Sequence, residues 1–594
     1  MLDPRIYRAA LLPVLLAVIV VAFSLENRPR AIGTTLVPDA FDARRSTQTL
    51  DELARRYPDR RPGGPGDNAL AAEVTTRLRA LPTFEVRTLR SRGATIDGER
   101  TLQTVVATRA GAPGPGLVVV AHRDAATAPG APARAALSGT AALLELARAV
   151  SGGRLRRTVT FVSTSGGSGG SAGAAAAARS LPEPVDAVLV LGDLTGAAAR
   201  RPFVVPWSGG LGAAPLRLRR TVESAVRAEA GADPGAARAV AQLSRFALPM
   251  TITEQGELLR RGLPAVTLQA TGEAGPAPDA AVDPERLPRF GRAALRALTA
   301  LDNGPDLDGG VEAGLIARRK VVPLWAIRLL VGALLAPVLV VALDGLARLR
   351  RRREPVGAWT VWVIACAAPF ALACLAARGL GATGLIAAAP RTPAPAGAVL
   401  LDAVAGVTAG ALVLVGVLGW LVVRPAIART AAVTGPADPP GAALAMMLVL
   451  GVAAVVVWIV NPYSAALLVA PLHLWAAAVN PTVRARLGRA GACALVGAAL
   501  VPAALAAASV AAQLDLGPGA FAWAVVLLVA GGGAGVLGWL VASVVAGCGL
   551  ASLLVALRPA RAPEGAATAA TTIRGPAGYA GPGSLGGTGS ALRR

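Results

Sequence analysis

Histidine is nearly absent from this chain: 594 residues contain two, His122 and His473. His473 lies in a hydrophobic segment, so any soluble metal site must manage with one imidazole. Lysine occurs once, at Lys320. The four cysteines, Cys366, Cys374, Cys493 and Cys548, all fall in hydrophobic stretches. The polar part has none, which excludes a disulfide framework and a thiolate metal site there. Aromatic residues make up 4%, too few to interleave with a basic face. The excess charge of +23 is therefore not read as nucleic-acid binding. Much of the arginine stands beside hydrophobic runs, as in Arg348, Arg350, Arg351, Arg352 and Arg353, the pattern of cytoplasmic membrane flanks.

What is abundant is apolar. Hydrophobic residues reach 54% and the mean hydropathy is +0.54, which points to several membrane spans. Residues 1–25 carry an apolar run behind Arg5 and Arg8 and read as a signal-anchor helix. Residues 320–560 read as a membrane domain of about seven spans, at 322–346, 356–377, 397–422, 441–460, 463–479, 491–512 and within 519–557. The last tract contains Gly531, Gly532, Gly533 and Gly535, and reads as a broken helix or two short spans. The Gly/Ala-rich tail at 561–594 reads as disordered. Arginine-rich joints at 348–353, 424–429 and 484–489 place the N-terminus in the cytoplasm and residues 26–319 outside, in a multi-pass plasma-membrane protein surrounded by bilayer lipid. The bias toward Ala, Gly, Arg and Pro suggests a GC-rich bacterial genome.

Residues 26–319 alternate strand and helix patterns. Apolar, β-branched runs at 101–108, 116–121, 157–163, 186–192 and 264–268 flank helical patterns at 68–80, 138–150, 215–229 and 285–301. This predicts an α/β domain, a mostly parallel mixed sheet with helices on both faces. In such sheets ligands bind at the carboxyl ends of the strands. His122, the Gly-Ser loop at 165–173 and Asp193 all follow predicted strands and should converge.

Five segments carry the chemistry. They are GLVVVAHRD, ending in His122, Arg123 and Asp124; Ala135 to Gly139, opening a helix; TVTFVSTSGGSGGSAG, with Gly167 and Ser168; GDLTG, with Asp193; and TEQGELLRRGLP, with Gln255. In this order and context they resemble the M28 family of zinc aminopeptidases, in particular its membrane-bound branch, over roughly 45–305. The resemblance implies two zinc ions held by five side chains, with a Glu as general base. His122 and Asp193 match ligand positions, and Asp124 matches the residue that orients the His122 ring. Ala135 stands at the bridging-Asp position, Gly167 and Ser168 at the two Glu positions, and Gln255 at the last His. Three of the five ligands and the base are thus replaced. A catalytic zinc wants three protein ligands and an open water position, and without a neighbouring carboxylate proton transfer loses ~10²–10⁴-fold. The resemblance therefore implies a non-catalytic relative with no cofactor, or zinc only if substitute ligands exist.

The same residues admit other readings. Gly166 to Gly170 spell a G-x-S-x-G elbow, which would make Ser168 a nucleophile relayed through His122 and Asp193. From Gly167 the loop also fits a dinucleotide fingerprint with Asp193 downstream. The bland reading is a permissive turn, with His122 held as a structural residue by Asp124 and Asp193. In the membrane part Asp344 and Asp402 read as paired or snorkelling residues, while His473 stays open. Three functions follow. The first is a non-catalytic ectodomain that binds a peptide, an envelope component or a partner protein. The second is an active zinc aminopeptidase with substitute ligands. The third is a transporter or assembly factor acting through the membrane bundle.

Overall fold

The computed structural model describes residues 4–558 apart from 127–132, 182, 236–237, 278–279, 308, 352, 388–400 and 431–439. The tail at 561–594 lies outside the described residues. After two N-terminal helices, α1 (Pro4–Ala9) and α2 (Leu11–Phe23), the chain enters an α/β fold. Its strands are β1 (Glu26–Asn27), β2 (Glu85–Thr95), β3 (Gly98–Arg109), β4 (Ala112–His122), β5 (Arg157–Thr164), β6 (Val185–Leu191), β7 (Val204–Val205), β8 (Ala265–Leu268), β9 (Leu315–Ala317) and β10 (Lys320–Val322). Its helices are α3 (Ala43–Arg56), α4 (Pro65–Arg79), α5 (Ser138–Ser151), α6 (Ala172–Ala178), α7 (Leu216–Ala230), α8 (Ala239–Ala247), α9 (Gln255–Arg260) and α10 (Arg286–Asn303).

Seven strands form one mixed sheet in the order β2-β3-β5-β4-β6-β8-β7. The central β5, β4, β6 and β8 are parallel, and the antiparallel β2–β3 hairpin and β7 close its two edges. Helices α5, α7 and α10 pack on one side of the sheet, with α3 outside them, and α6 and α9 cover other strands and each other. The parallel strands read VVVA, TFV and AVLVL because both faces are covered, so every residue is buried. The hairpin strand β2 escaped the sequence reading. It lies at the sheet edge, alternates exposed arginines with half-buried Val86 and Leu89, and so has no apolar run. Its charges also keep a free edge from pairing with another chain.

From Leu324 the chain becomes apolar helix. The elements are α11 (Leu324–Arg351), α12 (Val356–Ala365), α13 (Ala368–Ala382), α14 (Ala403–Leu418), α15 (Arg424–Thr430), α16 (Pro440–Val460), α17 (Pro462–Val479), α18 (Pro481–Ala498), α19 (Val501–Gln513), α20 (Pro518–Ala530) and α21 (Val536–Ala556). Among the described residues six helices are long and apolar enough to cross a membrane, or seven when the bent pair α12 and α13 counts as one span. This makes the chain a multi-pass membrane protein. Asp344, Asp402 and His473 each find partners close by. Asp344 pairs with Arg348, and Asp402 caps α14 through the Ala405 N–H. The Tyr7 hydroxyl donates to Nδ1 of His473 at 2.6 Å, and Nε2 of His473 donates to the Leu334 carbonyl at 2.9 Å.

The 519–557 tract resolves into α20 and α21, separated at the glycines. Thirteen residues of α20 span only ~20 Å, short of the ~30 Å hydrocarbon core. Both of its ends stay on the side of the α/β fold: Gly519 lies by Leu401, just before α14, and Ala530 lies by Gly381 in the last turn of α13. Helix α20 is therefore too short to cross by itself, and α21 is the candidate span of this tract. The far end of α21 meets the start of α18, where Arg484 donates to the Arg558 carbonyl at 2.8 Å. Cysteines introduced at Arg558 and Thr482 are expected to label from one side of the membrane and a cysteine at Glu99 from the other. Labelling of the Arg558 and Glu99 positions from the same side would contradict this path.

The α/β fold sits on the bundle with the carboxyl ends of its parallel strands toward it. Met250 and Ile252, in the loop before α9, pack with Ile386, Val510, Leu514, Leu516 and Trp523 of the membrane part, and Ile96 of the hairpin turn joins them. Helix α8 is the main seat. The Asn461 amide donates to the Phe246 carbonyl at 2.7 Å and the Ser464 hydroxyl to the Ala247 carbonyl at 2.7 Å. Arg200 pairs with Asp515 nearby.

Candidate functional site

The carboxyl ends of β4, β5, β6 and β8 frame a cleft of about 110 Å³ lined by His122, Asp124, Gly167, Ser168, Asp193, Ile252, Gln269 and Glu273, with small residues around them. The expected convergence of His122, the Gly-Ser loop and Asp193 is present. Strand register explains it. His122 ends β4 opposite Thr164 at the end of β5, and β6 runs in parallel on the other side of β4.

The groups in the cleft are committed to one another. Oδ1 of Asp124 accepts from the Gly167 N–H at 3.0 Å, and Oδ2 accepts from the Ser168 N–H at 3.0 Å and from the Ser168 hydroxyl. The loop is an anion nest filled by the protein's own carboxylate. Its N–H groups are thereby taken up, which removes the phosphate-binding reading of the glycines. The Ser168–His122–Asp193 relay is not assembled either, because the Ser168 hydroxyl donates to Asp124. Asp193 accepts from the N–H groups of Thr195 and Gly196 at 2.8 and 3.0 Å and from the Thr271 hydroxyl at 2.9 Å. Burial still pushes its carboxyl up from the ordinary aspartate range, against those hydrogen bonds.

His122 is 20% exposed, with Nδ1 3.2 Å from the Asp124 carbonyl and 3.7 Å from its carboxylate. Nδ1 faces a carbonyl oxygen, so in the neutral ring it is the donor and Nε2 the acceptor. The ring packs over Gly167, whose absent side chain is required: a Cβ there would lie 2.5 Å from Cγ of His122 and closer still to its Cβ. On the other flank Gly139 lets α5 approach the end of β6, since a Cβ would meet the Gly192 carbonyl at 2.7 Å. Ala135 is buried but does not line the cleft, where Ala133 and Ala136 stand instead.

Gln255 does not reach the cleft. It is fully buried, donating to the Trp207 carbonyl and the Thr251 hydroxyl at 3.1 Å and accepting from the Thr267 hydroxyl at 2.6 Å. The residue of this segment that faces His122 is its neighbour Glu254, which the sequence reading passed over. Oε1 of Glu254 accepts from the Thr164 hydroxyl at 2.6 Å, and its Oε2 has no partner among the described residues. Burial pushes its carboxyl up from the ordinary glutamate range, and His122 and the Thr164 hydroxyl oppose the shift. With the folded pKa above the unfolded one, protonated Glu254 stabilises the fold at low pH. That contribution is lost as the pH rises through the folded value. Glu254→Gln, neutral and of equal size, is expected to lose less melting temperature than the parent between about pH 5 and pH 8. Parallel melting curves would remove this role.

Glu273 was also missed, although it lies in a Gly-flanked loop past β8, where ligands bind in such sheets. It pairs with Arg245, which is 0% exposed at its side chain. Arg245 also donates to the Met250 carbonyl and, at 3.0 Å, to Oε1 of Gln513 on α19. Behind β4, buried Arg123 pairs with Asp67 at 2.8 Å and donates to the Ser163 and Gln103 carbonyls. Burial lowers Arg60 to about 10, against the carboxylates of Asp124 and Asp67.

These donors do not suit a metal. Among the described residues no three His, Cys, Asp or Glu side chains come together to hold one. Asp193 has its oxygens occupied by hydrogen bonds, and Asp124 fills the Gly-Ser nest. Chemically the cleft offers one imidazole acceptor and buried carboxyls, and no activated hydroxyl.

No family model matches the sequence, and no curated protein matches it. Solved structures similar to the chain include LapB from Legionella pneumophila, at 16% identity over 47% of this chain and 79% of that one, with a TM-score of 0.38. LapA from the same organism, an aminopeptidase, gives 15% identity over 45% and 73%, with a TM-score of 0.37. BSAP, a zinc aminopeptidase from Bacillus subtilis, gives 12% over 45% and 98%, with a TM-score of 0.33. At these values the likenesses carry no argument about activity, metal or substrate for this chain.

Proposed function

We propose that the α/β fold is a non-catalytic, aminopeptidase-like binding module, held outside the cytoplasm at the cell envelope by a multi-span membrane domain. One observation carries this reading: the cleft residues are locked in a self-satisfied network in which Gly167 has no room for a side chain. A general-base carboxylate at that position is excluded by the seat of the His122 ring. Loss of the metal ligands removes the reason to keep each remaining carboxylate, since unpaired like charges in one cleft repel. Asp124 and Asp193 persist because they bind backbone N–H groups.

The test is elemental analysis of the purified full-length protein, with His122→Ala beside it. Zinc well below one per chain, unchanged after incubation with zinc salts, is the expected result. Near-stoichiometric zinc that disappears in the variant would overturn the reading in favour of an active metalloenzyme with substitute ligands.

A further inference from the structure

Cations gather where the α/β fold joins its membrane helices. Strand β1 follows α2 and strand β10 leads into α11, and the two strands pair, with Glu26 opposite Val321 and Asn27 opposite Lys320. The next residues away from the bundle are therefore Arg28 on one strand and Arg319 on the other, with Arg30 and Arg318 just beyond. Tryptophan prefers the membrane–water interface and marks its level here. Trp325, in the first turn of α11, is 53% exposed, and the Trp458 indole donates to the Arg328 carbonyl at 2.9 Å. Lys320 stands four residues before Leu324, at most ~14 Å along an extended chain. The long stems of lysine and arginine let their charges reach back toward that surface.

These cations lack carboxylate partners. Arg30, Arg318, Arg319 and Lys320 are exposed, and among the described residues neither they nor Arg28 nor Arg328 pairs with an acidic side chain. Lys320 donates instead to Oδ1 of Asn27 at 2.7 Å, and Arg328 to the Ile459 carbonyl at 3.1 Å. Nε of Arg28 is buried and has no hydrogen-bond partner among the described residues. Burial pulls the Arg28 guanidinium down from the ordinary arginine range, the charges of Arg220 and Arg219 add to this, and Glu223 opposes it. The carboxylates nearby do not balance the cluster. Glu223 holds Arg219, Glu312 accepts from the Leu216 N–H, and Glu26 on β1 adds one charge. The orientation of the spans does not call for the cluster either. Helix α11 already carries Arg348, Arg350 and Arg351 at its other end, and cations at both ends of one span cancel as a topological signal.

We propose that the β1–β10 edge binds anionic phospholipid headgroups of the phosphatidylglycerol class, which supply the negative charge that Arg28, Arg30, Arg318, Arg319, Lys320 and Arg328 lack. A basic cluster of this size beside a span attracts anionic lipid through each cation near the surface. A lipid is favoured over a free phosphate because both strands run directly into apolar helices, with Trp325 and Trp458 beside them. The site is separate from the cleft, and the proposal does not rest on the non-catalytic reading.

The test is native mass spectrometry of the purified full-length protein in detergent with added dioleoyl phosphatidylglycerol or dioleoyl phosphatidylcholine. The parent is expected to prefer the anionic lipid. Arg318→Gln together with Arg319→Gln should cut that preference by about fivefold for each cation removed. Both side chains are exposed, so the fold should not depend on them. Arg28→Gln together with Arg30→Gln, on the facing strand, should act the same way and decides the matter if the first variant fails to fold. Arg154→Gln is the control. It is an exposed cation before β5, at the end of the sheet away from the bundle, and should change nothing. The arginines at the other end of α11 are present in every variant, so their share of lipid binding cancels in the comparison. An unchanged preference in either folded double variant, an equal fall in Arg154→Gln, or displacement of the lipid by equimolar inorganic phosphate would overturn the proposal. The zinc content of the cleft has no bearing on this result.

Discussion

Arg245→Ala is expected to destabilise the protein by roughly 3–5 kcal/mol, the usual consequence of leaving one member of a buried ion pair unpaired. Arg245 and Glu273 are both buried, and Arg245 also ties the Met250 carbonyl and the Gln513 side chain. Its removal strands the Glu273 carboxylate, frees the loop that carries Ile252 and takes one tie from α19. Loss should therefore appear in two readouts. The melting temperature in detergent falls, and the α/β fold becomes more susceptible to protease at 248–253. The double variant Arg245→Met with Glu273→Met should recover most of the melting temperature, because apolar replacement of a buried pair is often neutral. A single variant within about 0.5 kcal/mol of the parent would show that water reaches the pair, since surface substitutions fall in that range.

The second large effect is expected at Gly167. Gly167→Ala should cost about 1–3 kcal/mol through overpacking, and His122 should move. Rotating the His122 ring cannot relieve the clash, because the Cβ of His122 lies on the rotation axis and is itself too close to the added carbon. The backbone of β4 or of the Gly-Ser loop must shift, and the two Asp124 bonds to that loop weaken with it. Ser168→Ala is the control. It removes one hydroxyl bond to Asp124 and leaves the Gly167 N–H in place, so about 1 kcal/mol is expected. If Gly167→Ala proves no worse than Ser168→Ala, the steric lock on His122 is wrong. The same reasoning predicts that Gly167→Glu does not restore a metal site, as zinc analysis of that variant would show.

Much of the fold was legible in the sequence. The runs at 116–121, 157–163 and 186–192 became β4, β5 and β6, and the helical pattern at 138–150 became α5. These elements are buried on all sides, so hydrophobic periodicity reports them directly. Strand β2 was not legible, because an edge strand half open to water carries no such signal. The glycine tract at 531–535 showed that a helix breaks there. Where the break leaves each helix, thirteen residues for α20 and twenty-one for α21, came only from the structure.

The site divides in the same way. Residue identities alone determined that one soluble histidine, no soluble cysteine and no carboxylate at 135, 167 or 168 are available, because chemistry cannot use groups that are absent. Tertiary structure decided the rest. It turned Gln255 into the interior and presented Glu254 to His122, it spent the Gly-Ser loop on Asp124, and it brought Glu273 and Arg245 against a membrane helix. The physical reason is that a side chain's role depends on which donors and acceptors meet it after folding. Those partners are as far apart in the chain as Arg245 and Gln513.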